Sequence, residues 1–201
     1  MYQKVICILF ASTLVMACGH DDGPISGNET EVITTVVLSF TPDSGGAPVV
    51  AVFDDPDGDG GEPPTIDALD LGVGTYALAV RFENGLEDPP EDITAEVSDE
   101  SHEHQVFFTG SSVDGPASDN PGAPLSQTYD DQDVNGLPIG LANTMIASIG
   151  SGELVVTLRH LPPIGGASIK TAETSSDVRE VGFSGIGGSS DAQVSFVVTV
   201  Q

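Results

Sequence analysis

Two short acidic runs carry the most chemistry-laden spacing in the chain. Asp55-Pro-Asp57-Gly-Asp59-Gly60 and Asp131-Gln-Asp133-Val-Asn135-Gly136 both satisfy D-x-[DN]-x-[DN]-G. Alternating carboxylates on a tight turn direct several hard oxygens at one centre, and the glycine lets the backbone turn sharply enough to add a carbonyl. That is the opening of a calcium loop. A helical EF-hand is excluded, because its twelfth position needs a bidentate Glu where this chain has Ile66 and Ala142. The pattern is closer to the strand-borne turns of extracellular calcium modules, with a further ligand drawn from Asp54, Glu62, Asp67, Asp130 or water. The competing reading is that Asp, Asn and Gly form turns through local side-chain bonds without any ion.

A second constellation is histidine-based. His102 and His104 stand two apart at the start of an expected strand, on one face, and His160 ends another, so the three are candidates for a shared zinc or copper ion. Arg81 and Arg159 end corresponding strands and, as scarce cations, are expected to pair with carboxylates. Catalytic signatures are absent. Gly182-Phe-Ser184-Gly-Ile186 lacks the last glycine of a nucleophile elbow, and Gly185-Ile-Gly187 is not completed into a dinucleotide loop. The expectation is a protein that is not an enzyme.

The elements that must position these residues read as strands. Short runs rich in Val, Thr, Ile and Phe alternate with Gly, Pro and Asp, and no long stretch repeats at helical spacing. Strands are expected near 31–41, 48–54, 65–71, 75–84, 103–110, 124–130, 139–149, 153–160 and 191–200. The one helix candidate is 89–100, with Ile93 and Val97 four apart. Loops at 111–123 and 162–190 are long, the second with a further short strand expected around 180–183. Residues 53–60 align with 129–136, and 74–82 with 152–160, which suggests an internal duplication with pseudo-repeats about 31–84 and 103–162. The fold expected is all-β: a single β-sandwich of about nine strands over 31–201, with strand 191–200 closing a sheet beside the first.

Composition sets the setting. The 201 residues hold 31 Asp and Glu against 5 Lys and Arg, a formal charge of −26, which excludes a nucleic-acid binder because phosphate affinity comes from Lys and Arg. There is no Trp, so the core must be built mainly from aliphatic residues. Residues 1–17 read as a signal peptide: Lys4 precedes an apolar stretch from Val5 to Ala17, too short to span a bilayer. Val15-Met16-Ala17-Cys18 has the form of a lipobox, so Cys18 is the expected lipidation site and 18–30 a flexible tether. Gly19 after the cysteine points to the outer membrane, with the domain facing the periplasm or the cell surface. With Cys7 in the signal and Cys18 acylated, no thiol remains for a disulfide or a metal.

A resemblance runs over nearly the whole remaining chain. Glu31 to Val36 (EVITTV), Asp55 to Gly60 (DPDGDG), Asp92 to Thr94 (DIT), His104 to Phe108 (HQVFF), Asp131 to Asp133 (DQD), Asn135 to Gly140 (NGLPIG) and Leu158 to His160 (LRH) resemble, in order, a family of small bacterial lipoproteins frequent in Bacteroidetes. Members are often labelled a type 1 periplasmic binding fold, a name that implies an α/β fold at odds with the strand-rich pattern here. The resemblance implies a lipid-anchored β-domain and brings no activity with it. The function expected is therefore a non-enzymatic envelope or surface lipoprotein, a calcium-stabilised binding or structural module. The alternative is a histidine-based zinc or copper protein, a carrier or an enzyme.

Overall fold

The computed structural model describes residues 31–58 and 60–201. The signal peptide, Cys18, the tether and Asp59 lie outside the described residues. The fold is all-β with two short helices. The larger sheet runs β3 (Thr65–Ile66), β2 (Val49–Asp54), β1 (Thr35–Pro42), β5 (Gly74–Asn84), β10 (Ala142–Ala147), β9 (Leu125–Tyr129), β8 (Val113–Asp114), with β6 (Glu91–Asp92) also paired to β5. The smaller sheet runs β4 (Leu69–Leu71), β12 (Ser189–Val200), β11 (Gly150–His160), β7 (His104–Thr109). Pairing is antiparallel except for β4 with β12 and β8 with β9.

Period-two alternation builds the core. Val36, Leu38 and Phe40 of β1 and Tyr76, Leu78, Val80 and Phe82 of β5 turn one way from the larger sheet. Leu154, Val156 and Leu158 of β11 and Val194, Phe196, Val198 and Val200 of β12 come from the smaller, and all belong to one apolar cluster. Helix α1 (Ile93–Asp99) adds Ile93 and Val97 to that cluster, and the Asp92 side chain caps it by accepting from the Thr94 amide.

Four expectations need correction. The run 65–71 is two strands, β3 in the larger sheet and β4 in the smaller, so the chain changes sheets around Asp67. Strand β12 lies between β4 and β11, in the sheet opposite β1 rather than beside it. The aligned segments do not occupy equivalent places: β2, β5 and β9 share the larger sheet while β11 lies in the smaller. A rotation that carried β5 onto β11 would carry β2 into the smaller sheet as well, whereas its aligned partner β9 lies in the larger, so the sequence repeat is not a structural one.

The fourth correction is at 162–190, where a short strand was expected around 180–183. Thr174–Val181 is instead a helix, α2, followed by a 3₁₀ turn at Phe183–Gly185. Its seating is local. Val178 packs with Phe107 and Phe183 in a small second cluster on the outer face of the smaller sheet, and the buried Gln105 side chain donates to Ser175 Oγ at 2.8 Å. Arg159 of that face donates to the Gly187 and Gly188 carbonyls and to Ser190 Oγ and lies over the Phe183 ring. Among the described residues no helix is long and apolar enough to cross a membrane.

Candidate metal centre

The inner face of the smaller sheet ends in polar groups. His104 opens β7 and continues the inward parity of Val106 and Phe108; His160 closes β11 in phase with Val156 and Leu158. The two histidines are direct register partners, and their rings stack with centroids 4.7 Å apart and planes 12° from parallel. Glu31, just before β1, brings Oε1 to 3.1 Å from His104 Nε2. Glu31, His104 and His160 each offer a ligand atom, all within 4.8 Å of one another.

A β-bulge supplies a fourth group. The register steps from Leu158 opposite Ala192 to Arg159 opposite Ser190, which leaves Asp191 as the extra residue of β12. The alternation that buries Val194, Phe196, Val198 and Val200 would turn Asp191 outward, and the bulge re-aims it. Its side chain is 0% exposed and Oδ2 lies 3.8 Å from His104 Nε2. Glycine holds the turn beside it: Gly188 has φ +78, and a Cβ there would collide with the His160 carbonyl.

The electrostatics follow from these neighbours. Burial works against protonation of His104, yet the hydrogen bond and charge of Glu31, the Glu100 carbonyl and Asp191 together hold its pKa above the ordinary value. Burial would raise Glu31, but its bond to His104 and the charge of both histidines hold it below the usual carboxylate range. Asp191 is pushed up to about 6, first by burial and then by the Glu31 charge, with His104, His160 and Arg159 opposing. Glu31 and His104 thus form an ion pair, and Asp191 is a strained carboxylate beside it.

Of the histidines expected to act together, the structure assembles two. His102 lies in the turn before β7, half exposed, and meets only Glu103, at 3.3 Å; the expected sharing of one strand face by His102 and His104 fails because β7 begins at His104. His160 Nε2 is 3.4 Å from the other Glu103 oxygen. Glu31 and Asp191 were not among the residues singled out by spacing.

The acidic loops take different roles. In the second, Asp131 accepts from the Gly140, Leu141 and Ala142 amides, and Asp133 Oδ1 from the Asn135 and Leu137 amides. Asp133 Oδ2 pairs with buried Lys170 at 2.9 Å, and Asn135 is exposed. Those carboxylates are committed to protein donors, a cation among them, which leaves little for calcium. In the first loop Asp57 Oδ2 accepts the Glu62 amide, while Asp55 Oδ1 and Asp57 Oδ1 are buried without a hydrogen-bond partner. Of the arginines, Arg81 pairs with Glu83 at the surface as expected, whereas Arg159 is held chiefly by carbonyls.

No family model, curated protein or solved structure matches this chain. What the site can do rests on its own donor set. The Nδ1 of His104 lies 3.2 Å from the Glu100 carbonyl, an orienting bond that leaves Nε2 as the ligand atom. The Nδ1 of His160 and Oε2 of Glu31 are buried without partners. Two imidazoles and a carboxylate suit zinc or copper, whereas calcium takes oxygen ligands. A tetrahedral ion with bonds of about 2.0–2.1 Å holds its ligands roughly 3.4 Å apart, inside the 4.8 Å that spans these atoms, so loading would draw them together.

Proposed function

We propose that the protein is a non-enzymatic, lipid-anchored envelope module whose β-domain binds a zinc-class ion through Glu31, His104 and His160. The observation that carries the reading is the convergence of these three ligand atoms within 4.8 Å at the buried end of the smaller sheet. The donor set favours the histidine cluster over the acidic loops as the ion's site. The second acidic loop has its carboxylates occupied by amides and Lys170, and two imidazoles with one carboxylate match the ligand preference of zinc rather than calcium. Attachment through Cys18, with the domain on the periplasmic or outer face of the outer membrane, rests on the lipobox and on the resemblance to small bacterial lipoproteins.

The test is calorimetric titration of the purified, metal-stripped protein with zinc. One equivalent should bind. Glu31→Gln and His160→Ala should each weaken it by more than about 100-fold, beyond the cost of losing an outer-shell partner, and His102→Ala should leave it intact. Equal weakening by His102→Ala, or tight calcium binding with no zinc response, would overturn the assignment.

A further inference from the structure

Beside the histidine pair lies a cavity of about 620 Å³ whose lining joins elements distant in sequence: Glu31 and Ile33 before β1, Asp55 and Asp57 after β2, Leu86 after β5, and Asp191 of the bulge. Apart from Thr34, whose hydroxyl accepts the Gly85 amide, its polar side chains are carboxylates. Asp191 has a fully buried side chain with neither oxygen hydrogen-bonded, and Glu31 Oε2, Asp55 Oδ1 and Asp57 Oδ1 are likewise buried and unpartnered. Buried acceptors left without donors cost about 1–3 kcal/mol each, and more when charged. Among the described residues no lysine or arginine lines the cavity. Carboxylates of this kind are matched by a donor-rich cation.

Its size and wall decide which cation. A cavity of 620 Å³ is in the range of small-molecule sites, roughly 300–1,000 Å³, and is far larger than one ion fills. The Asp55 amide bonds the Thr34 carbonyl, whereas Glu31, three residues earlier, stands with Asp191 against His104, so the carboxylates fall at two places along the 31–34 segment. Ile33 and Leu86 put aliphatic surface between them, Leu86 half exposed at the rim. Separated carboxylates joined by an aliphatic wall match ammonium groups joined by methylenes, with three N–H donors at each end.

We propose that this cavity is a binding site for an aliphatic diamine or oligoamine, whose ammonium groups bond Asp55 and Asp57 at one end and Asp191 and Glu31 at the other while its methylene chain lies on Ile33 and Leu86. The site shares Glu31 with the zinc reading and its Asp191 stands 3.8 Å from His104, but Asp55 and Asp57 belong to the amine site alone and His160 to the zinc site alone, so each can fail without the other.

The experiment is calorimetry on the full-length, metal-stripped protein at about 150 mM salt, where diffuse attraction to a highly charged surface is largely screened. The probes are 1,4-diaminobutane and spermidine, with butylamine, 1,6-hexanediol, magnesium and calcium as controls. One equivalent of a diamine or oligoamine should bind saturably, at least about tenfold tighter than butylamine. Asp55→Asn with Asp57→Asn should weaken it at least tenfold, Leu86→Ser several-fold. The exposed pair Asp43→Asn with Asp70→Asn removes the same charge and should change nothing, and His160→Ala should lose zinc while keeping the amine. Equal weakening by the exposed pair would reduce the effect to counterion attraction. Absence of saturable amine binding, or calcium filling the cavity in preference to any amine, would also overturn the proposal.

Discussion

His104 and His160 sit directly opposite one another on β7 and β11, stacked at 4.7 Å, at the point where the inner face of the smaller sheet runs out of apolar residues. Glu31 at 3.1 Å favours the protonated form of His104, and the register sets the His160 ring against it.

That arrangement makes metal affinity a function of pH. His104 must give up its proton to ligate, and Glu31 holds that proton on past the usual histidine range. Zinc affinity should therefore rise steadily between about pH 5 and 8. Glu31→Gln should shift the His104 titration to lower pH as well as weaken binding. Titration of the His104 ring by NMR in the metal-free protein, alongside calorimetry at several pH values, checks both halves.

Asp191 should destabilise the metal-free fold at neutral pH. Its carboxyl titrates at about 6 in the native state against an ordinary 3.8 when unfolded. The native state therefore holds a proton that the unfolded chain releases, and this group's contribution falls as pH rises from about 4 to 6, then stays unfavourable. Asp191→Asn removes the charge and should raise stability at pH 8 by on the order of 2 kcal/mol, a rise of about 4–8 °C in melting temperature. Below pH 4 the gain should vanish. Melts of both proteins in chelator across that range decide it, and an Asn variant that is less stable at pH 8 would contradict the assignment of Asp191 as a strained carboxylate.

These groups differ in how far the sequence exposed them. Strands such as β5 were legible because Tyr76, Leu78, Val80 and Phe82 alternate with exposed residues, and α1 because Ile93 and Val97 stand one turn apart. Helix α2 was not, since Val178 is its one deeply buried aliphatic residue and its remaining hold comes from Thr174 and Ser175. His104 and His160 were visible as residues, but their pairing depends on sheet order, which local spacing does not encode. Asp191 was hidden by the bulge: one extra residue reverses the face a carboxylate presents, and nothing in DAQVSFVVTV announces it. The second acidic loop shows the converse. Asp131 and Asp133 have the spacing of cation ligands, and turn amides took the same oxygens.

Lipidation is testable apart from any metal. If Cys18 carries the anchor, Cys18→Ser should abolish incorporation of radiolabelled palmitate and leave the unprocessed precursor, while the fold of 31–201 and its zinc titration stay unchanged. Palmitate incorporation that persists in the Ser variant would place the acyl chain elsewhere.

The Lys170–Asp133 pair should be the most sensitive charged contact in the fold. Both side chains are 0% exposed, Nζ to Oδ2 is 2.9 Å, and Nζ also donates to the Ser101 carbonyl at 2.7 Å, so one lysine ties the 162–190 segment to the second acidic loop and to the turn before β7. Burial lowers the Lys170 pKa, with Asp133 opposing, and burial would raise Asp133 were it not for the Leu137 and Asn135 amides and Lys170 itself. Removing one partner strands the other's charge, so Lys170→Met should cost about 3–5 kcal/mol. The double variant Lys170→Met with Asp133→Asn leaves no buried charge and should recover a large part of that loss, because the Asn side-chain oxygen can still accept from the Asn135 and Leu137 amides. Urea unfolding gives the answer directly: the single variant's midpoint should fall with an unchanged slope, and the double variant's should lie between it and the parent. A double variant no more stable than Lys170→Met would show that the lysine acts through its bond to Ser101 and its packing rather than through Asp133.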